Sequence, residues 1–416
     1  MGLKQWTLWG IAALLIFTVG AFYSMNMNQA SGVNSESDRT TAISIWLYSE
    51  GWETYVNEFK QLHPNIDVDV RNFRSSEQLF TELTASISAN AAPQIAELHS
   101  YYGLSQLVDT KAVIPVEHAL IEGGNQLHPT FTAPFHYEGN DWAVPFGGGL
   151  PLIYYRQELL KHPQEKAFTS WDQIVQAAQQ PLSEGSELGG NGHWGLAIDN
   201  ELPWFVDNLS FTSDSAGEKD SSVKSSRVYS ALSAWSDWIH LSGIMKPLVH
   251  RRAASDFING KIGVFLSSSE MLPTVERYIG GKFQFDAGRI PTLAQQGIVP
   301  EIHGMALMQA APAKVQAAQS FIAYLLLEQT QASLWRSKGL IPSRSDVMVK
   351  LQEEDVWSQR QKMILDSARM LAVKPPSADD YERWVSMTTL VEQLEQNKDV
   401  NLNKKIEEIY GSHNGK

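Results

Sequence analysis

The sequence predicts an α/β protein of two or more domains, assembled from strand–helix–strand units. Two observations carry this. In AISIWLYSEGWETYVNEFKQLHPNIDVDVRNF, residues 42–73, period-2 alternation gives way to one helical face and then returns. The length, 416 residues, also exceeds what a single compact core organises.

The elements follow in order. Ile43, Ile45 and Leu47 alternate as a strand, and Trp52, Tyr55, Val56, Phe59 and Leu62 share one face of a helix. His63-Pro64 stops that helix, and Ile66, Val68 and Val70 alternate again, so the unit reads as a parallel crossover. A second helix opens with Ser75 and Gln78 in capping-box positions, and QIAEL is the strand after it. Further on, DWAVPF is a strand, LPLIYYRQELL a strand running into a helix, and GGG at 147–149 a flexible point between them. A helix capped by Thr169 or Ser170 leads to the strand HWGLAI. Residues 210–226 are polar and read as an exposed excursion. VYSALSAWSDWIHLSG is a helix, and residues 317–339 read as one long helix ended by Gly339.

At the N-terminus a single cation, Lys4, precedes an uncharged run from Gln5 to Tyr23. This is the layout of an export signal, and at about 20 residues the run also nearly spans a bilayer. Residues 1–30 are therefore expected to be a cleaved signal peptide or a retained membrane anchor, with 31–41 as linker. The net charge of −13 argues against a nucleic-acid partner, and the absence of cysteine removes disulfides, thiolate catalysis and Cys-bound metal.

Chemical motifs are few. Gly190-x-Gly192-x-x-Gly195 follows a polar run and leads into LAI, so it lacks the strand before and the helix after that a nucleotide fingerprint needs. The eleven histidines show no His-x-x-x-His spacing, and no Gly-x-Ser-x-Gly elbow occurs. No catalytic residue, metal or cofactor is expected. Three places suit polar-ligand binding. Ser267, Ser268 and Ser269 stand between a strand and a helix, with Ser267 and Glu270 as the capping pair; they are ligand donors or only caps. Arg383 is a bidentate anchor or a solvated arginine, and Trp204, in a loop beside Pro203, is a stacking platform or a core residue.

Seven segments in order, among them ISIWLYSEGWETYVNEFKQLHPNIDVDV, APQIAEL, DWAVPFGGGLPLIYYRQELL, FINGKIGVFLSSSEM and LVEQLEQNKDVNLNKKIEEI, make the chain resemble the extracellular solute-binding proteins of bacterial ABC importers. The resemblance is to the class that takes carbohydrates and glycerol-3-phosphate. It implies a two-lobed periplasmic-binding-protein fold (type II-like), with a ligand cleft between lobes and several hinge crossings. The lobes would be 42–148 with 305–340, and 149–304 with 341–416, with GGG at the first crossing.

The ligand positions it implies are Glu50, Ser76, Ser100, Gly148, Trp204, Ser268, Ser269, Gly304 and Arg383. Relative to the glycerol-3-phosphate binder, Ser76 replaces an aromatic, Ser100 an acid, Gly147–Gly149 hinge serines and Leu340 a tyrosine, so the ligand is expected to differ. The implied partners are a sugar or phosphorylated polyol and the permease subunits of an importer, with the protein a monomer. It would lie in the periplasm or on the outer face of the cytoplasmic membrane, touching the membrane through its N-terminus if that is uncleaved. The alternatives are an anchored sensor signalling to a kinase, and an anchored glycosidase.

Overall fold

The computed structural model describes residues 40–160, 168–181, 192–210, 221–291 and 297–410. The expected signal or anchor, almost all of the linker, and Gly190 of the glycine motif lie outside these residues. Among those described, no helix is long and apolar enough to cross a membrane.

The strands are β1 (Thr41–Leu47), β2 (Ile66–Asn72), β3 (Ile95–His99), β4 (Val113–Ile114), β5 (His136–Tyr137), β6 (Asn140–Asp141), β7 (Val144–Gly149), β8 (Pro151–Arg156), β9 (Trp194–Ile198), β10 (Ile262–Ser268), β11 (Phe285–Arg289), β12 (Glu301–Met308) and β13 (Ile341–Pro342). They form two main sheets. The first has the order β13-β7-β12-β3-β1-β2, with β4 beside β12, and the second β11-β8-β10-β9. β1 pairs in parallel with β2 from Thr41↔Ile66 to Leu47↔Asn72, around the helix Glu53–Leu62, as the alternation predicts.

β1 shows how the pattern becomes two layers. Ile43, Ile45 and Leu47 pack with Phe59, Phe321 and Ile322 beneath helices on one face. Trp46 turns the other way, into a core continuous with residues of the second sheet such as Tyr154 and Phe265. The molecule is thus two α/β lobes. The chain leaves the first sheet at Leu150, returns between β11 and β12, and leaves again after β13. The expected lobe boundary at 304/305 falls inside β12, and that at 340/341 just before β13.

Several local expectations change. GGG, expected as a flexible point between strands, is itself strand: Gly147 and Gly148 pair with Pro342 and Ile341 on one side and with His303 and Ile302 on the other. A Cβ on Gly148 would lie 2.6 Å from the Glu301 carbonyl, so the glycine serves close strand approach. After β8 the described chain makes only a 3₁₀ turn, Gln157–Leu159. The helix expected over 317–339 is two, Pro312–Leu325 and Glu328–Lys338, parted by Leu326 and by Leu327 in extended geometry. Gly339 does end the second, in the left-handed region. Within the polar stretch, helix Ser221–His240 has already begun. Ser75 and Ser170 cap as expected, whereas the cap after β10 is Ser268, Ser267 being still in the strand.

Candidate functional site

The antiparallel strands β3 and β12 each carry Glu-x-His: Glu97-Leu98-His99 and Glu301-Ile302-His303. His99 and His303 are direct register partners. Alternation puts both glutamates and both histidines on one sheet face. Each histidine then bonds the other strand's glutamate: His303 Nδ1 donates to Glu97 Oε1 at 2.9 Å, and His99 Nε2 to Glu301 Oε1 at 3.0 Å.

The second lobe covers this quartet. Glu270, just after β10, accepts from His303 Nε2 at 3.0 Å, and Glu201, at the head of the helix Leu202–Ser210, lies 3.9 Å from His99 Nε2. Glu97 is held from behind by the Tyr48 and Ser49 amides and the Ser49 hydroxyl, at 2.9, 3.0 and 2.9 Å.

These contacts fix the charge states. Burial alone would push His303 down, but Glu270 and Glu97, one on each ring nitrogen, outweigh it and hold the imidazolium well above the ordinary histidine range. Burial likewise opposes ionisation of Glu97, yet His303 and the Ser49 donors keep its carboxyl below the usual range. Glu201 has no such partner: burial and then the Glu301 charge push it far up, and its Oε2 is buried without a hydrogen bond.

His99, Glu201 and Glu301 bring ligand-type atoms within 4.8 Å of one another. The Tyr101 amide, however, donates to His99 Nδ1 at 3.2 Å, which leaves the ring proton on Nε2, directed at Glu301. A metal would need that Nε2 lone pair and would turn a second N–H against the Tyr101 amide. The triad is therefore built for hydrogen bonding.

An aromatic wall flanks the network. Trp384, from helix Asp380–Gln396, lies 4.9 Å from Tyr102, 5.2 Å from His99 and 5.6 Å from Tyr101 between ring centroids. Beside it a cavity of about 20 Å³, room for one water, is lined by Tyr101, Asp207, Lys374, Asp380, Arg383 and Trp384 among others.

The residues expected from sequence distribute around this centre. Ser76 is buried and accepts from the Tyr102 hydroxyl at 2.6 Å. Ser100 spends its amide and hydroxyl on the backbone of Ile302. Gly148 and Gly304 are interior strand positions, and a Cβ on Gly304 would meet the Phe135 ring at 2.6 Å. Ser269 is fully buried, accepting from the Leu150 amide and donating to the Gly339 carbonyl. Ser268 accepts from the Glu270 amide. Glu50 is exposed, and its carbonyl accepts from Lys338.

Arg383 pairs with Asp379 and Asp380, lies over the Tyr410 ring and leaves Nε buried without a partner. Trp204 is on a helix, not in a loop, and is wholly buried, its indole donating to the Val299 carbonyl at 2.8 Å. Of the two readings of this side chain, the core residue is the one the structure has.

The Glu/His network was missed by sequence reasoning. Its one signal is the repeated Glu-x-His on two strand patterns, ELH and EIH.

The model for bacterial extracellular solute-binding proteins matches residues 54–363. No curated protein sequence matches. Among solved structures, an ABC substrate-binding protein from Listeria monocytogenes in complex with cycloalternan shares 14% identity at a TM-score of 0.72, over 90% of this chain and 98% of that one. Maltose-bound MalE3 of T. maritima shares 18% at 0.73, over 89% and 98%. An ABC transporter solute-binding protein from Thermotoga lettingae bound with α-D-tagatose shares 15% at 0.73, also over 89% and 98%. At such identities the likeness is one of fold, and it is to two-lobed binding proteins. The chain belongs to the bacterial extracellular solute-binding protein family.

Proposed function

We propose that this protein is the capturing subunit of an ABC importer, outside the cytoplasmic membrane, and that its solute is a sugar or oligosaccharide. Residues 42–148 with 305–340 and 149–304 with 341–416 approximate the lobes that close on it, adjusted to the strand ends at Gly149, Glu301 and Pro342. The observation that carries the reading is the wall of Tyr101, Tyr102 and Trp384 beside paired carboxylates and imidazoles. Flat apolar faces next to dense hydrogen-bonding groups suit a sugar ring, which has both kinds of surface. The neighbours solved with maltose, tagatose and cycloalternan support the same class.

A phosphorylated polyol fits less well. Arg383 is already engaged by Asp379 and Asp380, and Glu97, Glu270 and Glu301 set a negative field against a phosphate. In this reading Trp384, Tyr102, His99 and His303 line the cleft. Trp204, Ser100 and Gly304 shape it from the core.

A thermal-shift screen tests this with maltodextrins, cyclic glucans, tagatose and glycerol-3-phosphate. A true ligand at 100 times its Kd stabilises by about 2.7 kcal/mol. Stabilisation by a sugar and none by glycerol-3-phosphate is expected; a response to the phosphate alone would overturn the assignment.

A further inference from the structure

We propose that the cleft carries its own latch: Glu270 of one lobe accepts the hydrogen bond that His303 of the other would give a ligand, and solute enters by displacing it. The proposal rests on the reading of this cleft as the solute site.

Geometry carries it. His303 sits on β12 of the first lobe, braced by Glu97 on Nδ1, and offers only Nε2 to the cleft. Glu270 reaches Nε2 from the far lobe at 3.0 Å. Next to it Ser269 stitches the lobes backbone to side chain: its amide donates to the Leu150 carbonyl at 2.7 Å, and its hydroxyl meets the Leu150 amide at 3.0 Å and the Gly339 carbonyl at 3.2 Å.

Gly149 is the second, independent observation. A Cβ there would stand 2.1 Å from Ser268 Oγ and 2.5 Å from Glu270 Oε1, closer than real Cβ contacts come. The third glycine of GGG therefore clears the path by which Glu270 reaches His303. His303 and Trp384 are buried in this form, so solute reaches them only after it opens.

The groups facing His303 set its pH response. They are Tyr48 from the loop after β1, Glu97 and His99 from β3, Glu301 from β12, Glu270 and Glu201 from the other lobe, and Lys338 from helix Glu328–Lys338, whose charge acts on Glu97 and Glu270. Of these, Glu270 and Glu97 favour the imidazolium in the closed form and outweigh its burial. Opening removes Glu270 and returns His303 toward its ordinary value, about 6.5. The closed form thus binds the extra proton. Its advantage is complete below about pH 6.5 and fades as pH rises through the elevated closed-state value.

The experiment is small-angle scattering on the full protein without ligand, for wild type, Glu270→Ala and Gly149→Ala, at about pH 6 and about pH 9. The wild type should be compact at the lower pH and gain radius of gyration at the higher. Both variants should be expanded at the lower pH and change little between the two. A wild type already as expanded as the variants, or variants as compact as wild type at the lower pH, overturns the latch. Should Gly149→Ala not fold, Glu270→Ala decides alone. No ligand enters this measurement, so a failed solute screen and a failed latch are separate results.

Discussion

At the scale of single residues, the two cleft glutamates that face His99 have opposite fates. Glu301 is hydrogen-bonded by the histidine and stays ionised, with a carboxyl below the usual range because that bond and the His303 charge outweigh burial. Glu201 faces it without a bond, and burial with the Glu301 charge drives it far above its ordinary value of 4.5. A group whose folded value is raised contributes stability below its unfolded value and loses it as pH climbs toward the folded one. Wild type therefore loses stability between about pH 5 and pH 8 through Glu201, a loss that Glu201→Gln cannot have. Urea unfolding should find the variant equal to wild type near the lower pH and more stable at the higher. Parallel pH profiles for the two proteins would show that Glu201 ionises freely in the folded chain.

At the scale of elements, Gln331 explains why the chain breaks where the apolar run Leu325-Leu326-Leu327 suggests continuity. Its side chain is wholly buried; Nε2 donates to the carbonyls of Leu325 and Phe146 at 2.8 and 2.7 Å, and Oε1 accepts from the Ser343 amide at 2.9 Å. One amide thus ties the end of helix Pro312–Leu325 to β7 and to the chain leaving β13. Gln331→Leu keeps the volume but orphans three buried backbone groups, at about 1–3 kcal/mol each where water cannot reach. A loss of at least about 2 kcal/mol is expected in chemical denaturation, and a loss under about 0.5 kcal/mol would mean that these groups find other partners.

The same contrast marks what sequence could tell about the elements. The unit β1–helix–β2 was legible because its alternation and its helical face are both local. The helix break was not, because it depends on carbonyls supplied by β7. GGG misled for the same reason. Glycine reads as flexibility until the neighbouring strands are known, and here Gly148 and Gly149 answer to Glu301 and Glu270, which lie more than a hundred residues away in sequence.

At the scale of the whole molecule, the order of segments was enough to place the family, while the centre of the cleft was beyond reach. The contacts His99–Glu301 and His303–Glu97 span 202 and 206 positions, and neither appears until β3 and β12 are paired. That long-range closure also shapes how solute should arrive. A protein resting latched must open before a sugar reaches Trp384 and His303, so the competent fraction limits capture. In stopped-flow tryptophan fluorescence with a sugar found in the screen, the observed rate should level off with rising concentration at the opening rate. Glu270→Ala should raise that ceiling and tighten apparent affinity, because the competing internal acceptor is gone. A rate that stays linear in sugar concentration for wild type, with the variant binding no tighter, would mean that the cleft stands open at rest and closes only after the solute is seated.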